Sequence, residues 1–175
     1  MAKVYLGLGT NMGDKEMNLR TAVQWINDRI GEVTSLSSFY ETAPWGFVSD
    51  NSFLNGAVCV ETELMPLEVL HRTQAIEREL GRTHKSVNGV YSDRIIDIDL
   101  LLYEDVVMQS PELTLPHPRI GERGFVLAPL RDLFPDGRIL DADFSEAMRS
   151  VSYEGIKRRE FCNLQKYLKK NEKKD

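Results

Sequence analysis

The spacing of apolar and polar positions changes several times along this chain, and each change marks an element. Lys3 to Gly9 (KVYLGLG) is a short apolar run with a valine and a tyrosine, closed by the polar, glycine-containing turn GTNMGD, and it predicts a first, central strand. Asp14 is placed to cap a helix from Lys15 to Ile30, in which Met17, Ala22, Val23, Trp25, Ile26 and Ile30 recur near helical spacing and Gly31 follows the end. Val33 to Thr42 and Phe53 to Glu63 alternate in polarity and are rich in β-branched and aromatic residues, so both predict strands. Pro66 opens a second helix to Leu80, with Val69, Thr73, Ile76 and Leu80 as its core stripe and Gln74 and Glu77 on another face. Ile95 to Tyr103 (IIDIDLLLY) returns to a period of two and predicts another strand.

The order β-α-β-β-α-β predicts an α+β fold of the ferredoxin-like kind, an antiparallel sheet covered on one face by two helices. Beyond Tyr103 the pattern weakens to a short strand near Val106, a proline-rich loop, a helix from Phe125 to Leu133 and another near Ala147. These make a C-terminal extension of short helices. Residues 1–165 are expected to form one catalytic domain, and 166–175, almost all charge, a frayed tail.

Composition narrows the classes. With 22 basic against 27 acidic side chains and a net charge of -5, the chain does not suit duplex DNA, whose binding rests on cations neutralising phosphates. Two cysteines, Cys59 and Cys162, make no disulfide framework, and no segment reads as a leader or a membrane span, so a cytoplasmic protein without a membrane partner is expected. Gly7, Gly9 and Gly13 carry one residue too many for a dinucleotide turn. There is no P-loop and no nucleophile elbow, and His71, His84 and Cys59 form neither a triad nor a zinc spacing, so His71 is read as structural.

Alternation along IIDIDLLLY puts Ile96, Ile98, Leu100 and Leu102 on one face and Ile95, Asp97, Asp99 and Leu101 on the other. The two carboxylates then project side by side, with Cα atoms about 6.6 Å apart. A hard cation relieves their repulsion, and Mg²⁺ keeps waters and recruits phosphate oxygens to complete its shell. Arg82, His84, Lys85 and Arg94 gather before this strand and His117, Arg119 and Arg123 after it, a positive cluster in an acidic chain. Cations around a carboxylate pair suit a polyphosphate substrate. A solvated strand face and a structural ion-pair network are the plainer alternatives.

R-I-I-D-I-D-L-L-L, then L-T-L-P-H-P and R-G-F-V-L-x-P-L, together with G-L-G-T-N, S-S-F-Y-E-T-x-P-x-G, F-L-N-x-A-V and Q-x-x-E-x-x-x-G-R, resemble the 6-hydroxymethyl-7,8-dihydropterin pyrophosphokinases of the folate pathway over roughly residues 3 to 135. The resemblance implies a ferredoxin-like monomer that transfers diphosphate from ATP to the hydroxymethyl group of a reduced pterin and releases AMP. It implies that Asp97 and Asp99 hold two Mg²⁺ ions, that Asp97 lies beside the reacting hydroxyl, and that Arg82 and Arg94 join the two aspartates as catalytic groups. For ATP it implies Gln74, Glu77, Arg82, Lys85, Arg94, His117 and Arg123, with backbone groups near Leu100 and Thr114 reading adenine. For the pterin it implies Thr42, Ala43, Pro44, Trp45, Gly46, Phe53, Asn55, Tyr91 and Phe125, with Asn11 supporting the aspartate pair.

A pterin is flat, aromatic and edged with donors and acceptors, which two phenylalanine rings and the Asn55 amide would suit. The chain departs from the family in the run Val90, Tyr91, Ser92, Asp93, where Tyr91 takes the place of the customary tryptophan. His84 stands where an arginine is frequent, and Phe53 where a tyrosine is. The segments Ala43 to Ser52 and Arg82 to Asp93 are long enough to be lids over the site. Two other readings share parts of the pattern: a ferredoxin-like RNA-binding or small-molecule-binding module without catalysis, for which the RNA-reader motif is missing, and a metal-dependent phosphohydrolase. No nucleic-acid partner is expected.

Overall fold

The computed structural model describes residues 1–42, 52–81, 95–139 and 142–159. Along them run β1 (Ala2–Thr10), α1 (Lys15–Arg29), β2 (Glu32–Leu36), β3 (Tyr40–Thr42), β4 (Phe53–Thr62), α2 (Pro66–Gly81) and β5 (Asp97–Tyr103). There follow β6 (Met108–Gln109), β7 (Thr114–Leu115), a 3₁₀ turn (Ile120–Glu122), α3 (Gly124–Leu133), β8 (Arg138–Ile139), β9 (Ala142–Asp143), α4 (Ser145–Ser150) and β10 (Ile156–Arg158). The fold is mixed α/β. Its main sheet is antiparallel in the order β10-β3-β4-β1-β5, with β2 also paired to β4.

Each strand of the sheet centre divides its side chains between two cores. Val4, Leu6 and Leu8 of β1 pack with Leu19, Ala22, Val23 and Ile26 of α1 and Val69, Ile76 and Leu80 of α2. The other face carries Tyr5, Ala57, Leu101 and Leu102 against Leu127 and Leu130 of α3. Each fully buried leucine or isoleucine contributes roughly 1.5–3 kcal/mol by leaving water. Asp14 caps α1 as its position predicts, its carboxylate accepting from the Met17 amide at 3.1 Å. Met17 itself is exposed and Leu19 takes its place in the stripe.

The expected strand Val33 to Thr42 is two strands. Between β2 and β3 regular pairing lapses at Ser37 to Phe39: the Ser37 amide still donates to Ala57 O at 2.9 Å, and side chains take up other groups that a ladder would pair. Ser37 Oγ accepts the Ala57 amide at 2.8 Å, and Asp132 of α3 accepts both the Ser38 amide and the Tyr40 hydroxyl at 2.9 Å. Burial and that carboxylate push the Tyr40 phenol up to about 12, so it remains a donor.

The alternation expected along β5 also slips once. Tyr5 pairs with Leu102 but Leu6 with Leu100, so Leu101 is an extra residue and the phase reverses beyond it. Leu102 therefore joins Leu101 in the α3 core, and Tyr103 faces α1 and α2 in the position expected of Leu102. Regular strand geometry begins at Asp97 rather than Ile95, and the short strand expected near Val106 lies at Met108–Gln109. Among the described residues no helix is long and apolar enough to cross a membrane. Cys162 and the tail 166–175 lie outside the described residues.

Candidate active site

Two recesses meet at Asp99. On β1 the leucines that face α1 and α2 alternate with Gly7 and Gly9, and the register sets Gly7 opposite Asp99 and Gly9 opposite Asp97. Glycines leave the sheet bare where the aspartates stand beside it. The result is a cavity of about 210 Å³ floored by Gly7 and Gly9 and walled by Thr42, Phe53, Asn55, Asp97, Asp99, Arg123 and Phe125. Asp97 is half-buried and Asp99 exposed.

The walls have distinct chemistry. Phe53 and Phe125 present half-buried rings from β4 and α3. Asn55 is buried, and its amide nitrogen donates to Thr42 Oγ1 at 3.1 Å. Its Oδ1 lies 3.0 Å from where a Cβ on Gly9 would stand, so only a glycine leaves that oxygen its place. The Arg123 guanidinium carbon sits 5.5 Å from the Phe125 ring centre, a cation against an aromatic face.

The second recess, about 330 Å³ and more open, is lined by Gln74 and Glu77 of α2, Asp99 and Leu100 of β5, Thr114 of β7 and His117. His117 is held by its backbone amide on Leu101 O at 2.9 Å, and its Nδ1 accepts the Arg119 amide at 3.2 Å. Burial pushes its pKa below the usual histidine value; Asp99 opposes this, while Arg123 and Arg119 add to it. A neutral imidazole with its proton on Nε2 agrees with the bond at Nδ1. At the rim, His71 Nε2 meets Glu112 at 2.9 Å, tying α2 to the turn before β7, which fits its reading as structural.

The structure thus gathers Thr42, Phe53, Asn55, Asp97, Asp99, Arg123 and Phe125 in one recess and Gln74, Glu77, Asp99, Leu100, Thr114 and His117 in the other. Asn11 is fully buried directly after β1. Arg82, Lys85, Tyr91 and Arg94, together with Ala43, Pro44, Trp45 and Gly46, lie outside the described residues, as does most of both expected lids. Gly7, Gly9 and Val126 line the first recess without having been singled out by sequence for the site. The usable signal was the alternation of glycine with leucine in LGLG, set against the alternation of aspartate with isoleucine in IDID.

Among the described residues no group of three or more His, Cys, Asp or Glu could hold a metal. A zinc-type cage is therefore not built from them. Two carboxylates on an open strand face suit Mg²⁺, whose remaining ligands come from water and phosphate oxygens.

Residues 5–135 match the family model of 7,8-dihydro-6-hydroxymethylpterin-pyrophosphokinase. The chain is 54% identical over 136 residues to the 2-amino-4-hydroxy-6-hydroxymethyldihydropteridine pyrophosphokinase of Porphyromonas gingivalis, covering 77% of this chain and 92% of that one. It is 40% identical over 159 residues to the protein of the same name from Methylorubrum extorquens, covering 90% and 99%. Among solved structures, a Plasmodium falciparum HPPK-DHPS chain superposes with a TM-score of 0.71 at 18% identity, over 90% of this chain and 48% of the other. That likeness is one of fold, and this chain spans about half of the two-part protein's length.

Proposed function

The chain belongs to the 7,8-dihydro-6-hydroxymethylpterin-pyrophosphokinase family and is an ATP-using pyrophosphokinase of folate biosynthesis, and we propose that its two recesses are the seats of the two substrates. The recess with two rings, an amide and a hydroxyl takes the pterin; the recess between α2 and β7 takes ATP. The observation that carries this reading is that Asp99 lines both. A group common to donor and acceptor sites stands where the two substrates react.

The pterin's flat ring lies between Phe53 and Phe125, and its polar edge pairs with Asn55 and Thr42. Its hydroxymethyl oxygen attacks the β-phosphorus of ATP. The bond from that phosphorus to the bridging oxygen on the α-phosphate breaks, AMP departs with the oxygen, and the hydroxyl proton passes to Asp97 or to water beside it. Asp97 and Asp99 would hold two Mg²⁺ ions, which would supply charge neutralisation along the triphosphate. Arg123 and His117, with Arg82, Lys85 and Arg94, bear on the phosphates; Gln74 and Glu77, with backbone near Leu100 and Thr114, bear on the nucleoside. Ala43, Pro44, Trp45, Gly46 and Tyr91 complete the pterin side, and Asn11 supports the aspartate pair.

The strand order, with β1 central between β4 and β5, supports classing the topology as ferredoxin-like. We read residues 1–165 as one catalytic domain, acting as a monomer in the cytoplasm.

Incubation with ATP, Mg²⁺ and the hydroxymethyl dihydropterin tests the function. AMP release that depends on the pterin is the expected result. Phosphate release without pterin would point to a hydrolase, and no turnover to a binding module.

A further inference from the structure

Beyond the family match, which ends at residue 135, the chain turns back onto the pterin pocket. β10 pairs antiparallel with β3, setting Ile156 opposite Thr42. The same residue reaches across to the other wall: its Cδ1 lies 3.0 Å from where a Cβ on Gly124 would stand, and the Ser152 carbonyl oxygen lies 2.4 Å from that point. Gly124 sits between Arg123 and Phe125, and any side chain there would meet the Ser152 backbone.

The segment is itself anchored. Ile156 closes a turn onto Tyr153 O at 3.1 Å, with Gly155 at φ +77, a conformation that suits glycine. The Arg131 guanidinium of α3 covers the Tyr153 ring at 4.7 Å, and the Tyr153 hydroxyl donates to Met148 O at 2.6 Å. Beyond β10 the Arg159 amide donates to Phe39 O at 2.8 Å, and its side chain meets Glu41 at 3.1 Å. Glu41 in turn accepts from Ser52 Oγ at 2.8 Å, joining the two strand ends that flank 43–51. Val151, Ser152 and Ile156 line, together with Thr42, Arg123 and Phe125, a further cavity of about 740 Å³.

We propose that Ile156, seated on Gly124, is a positioning residue for the pterin: it fixes Thr42 and the Arg123–Gly124–Phe125 turn at one separation. This rests on the assignment of the pterin to that recess. Among the described residues that line the recess assigned to ATP, from α2, β5, β7 and His117, none comes from this extension.

Steady-state kinetics of the full chain, with each substrate varied in turn, tests the proposal on Ile156→Ala and Gly124→Ala, with Ile156→Leu, which keeps a δ-methyl, as the conservative control. The pterin KM is expected to rise about tenfold or more in the alanine variants while the ATP KM stays within about twofold and Ile156→Leu keeps the pterin KM near wild type. A pterin KM unchanged in Ile156→Ala, or both KM values rising together, would overturn it. Should Gly124→Ala fail to fold, Ile156→Ala decides alone, since it keeps the β10 backbone; failure of both to fold would show a role in stability and overturn the proposal too. Wild-type protein that makes no AMP from the pterin would instead refute the function itself.

Discussion

Gly9→Ala tests the idea that a bare strand admits the pterin. Gly9 is paired on one side with Asn55 and on the other with Asp97. A methyl there stands 3.0 Å from Asn55 Oδ1, inside the roughly 3.3–3.6 Å at which carbon and oxygen meet without compression. The amide must yield by a few tenths of an ångström, at the expense of its 3.1 Å bond to Thr42. Losing that neutral hydrogen bond costs about 0.5–1.5 kcal/mol, while replacing a strand glycine by alanine contributes about 0.5–1 kcal/mol in the opposite direction. These nearly cancel, so Tm should stay within about 2–4 °C of wild type. The pocket does not share in that cancellation, because the methyl occupies its floor and the displaced amide loses its aim. A loss of about 1.4 kcal/mol in pterin binding is a tenfold rise in its KM, and the ATP KM should hold, since Gly9 does not line the second recess. Gly7→Ala should be milder, because the atoms nearest its methyl belong to the flexible Leu101 side chain, the first at 3.3 Å. A folded Gly9→Ala enzyme with a pterin KM within twofold of wild type would refute the reasoning.

Asp97→Asn and Asp99→Asn each remove one unit of charge from adjacent carboxylates, so the fold should survive while kcat in saturating Mg²⁺ falls by about a hundredfold or more; near-normal AMP production by either would reduce the pair to a solvated strand face. His117 has its pKa lowered in the folded protein, chiefly by burial, so as pH falls through the ordinary histidine value the unfolded chain takes up a proton that the folded chain resists, and stability present above that pH is lost. Thermal melts in EDTA from pH 7.5 to 5.5 should show a decline that His117→Asn makes shallower, and equal slopes in the two proteins would contradict the burial argument.

The helices were legible because their periodicity is long and one-sided. Val69, Thr73, Ile76 and Leu80 were the predicted stripe of α2 and are its buried residues. The strands were legible in kind but not in phase. Nothing in IIDIDLLLY marks Leu101 as the residue that the pairing with β1 leaves over, because a bulge is a property of two strands rather than of one. The break at Ser37 to Phe39 depends likewise on Asp132, nearly a hundred positions away in the chain, accepting the Ser38 amide and the Tyr40 hydroxyl. Short elements such as β8, β9 and β10 carry too few residues to show a period at all, and β10 exists only because β3 offers it an edge.

The site follows the same division. Chemically loaded side chains announce themselves: two aspartates on an apolar strand and an asparagine in another are conspicuous because each is costly there without a partner. Absent side chains do not. Gly7 and Gly9 were weighed as a nucleotide turn and rejected on spacing; they stand in the strand expected from Lys3 to Gly9, and they matter for the space they leave beside Asp97 and Asp99. Gly124 has the same character one layer out, since the Ser152 carbonyl occupies the room its missing side chain leaves. A recess made by omission can be read only when two strands are laid side by side, and the register of β1 between β4 and β5 does that here.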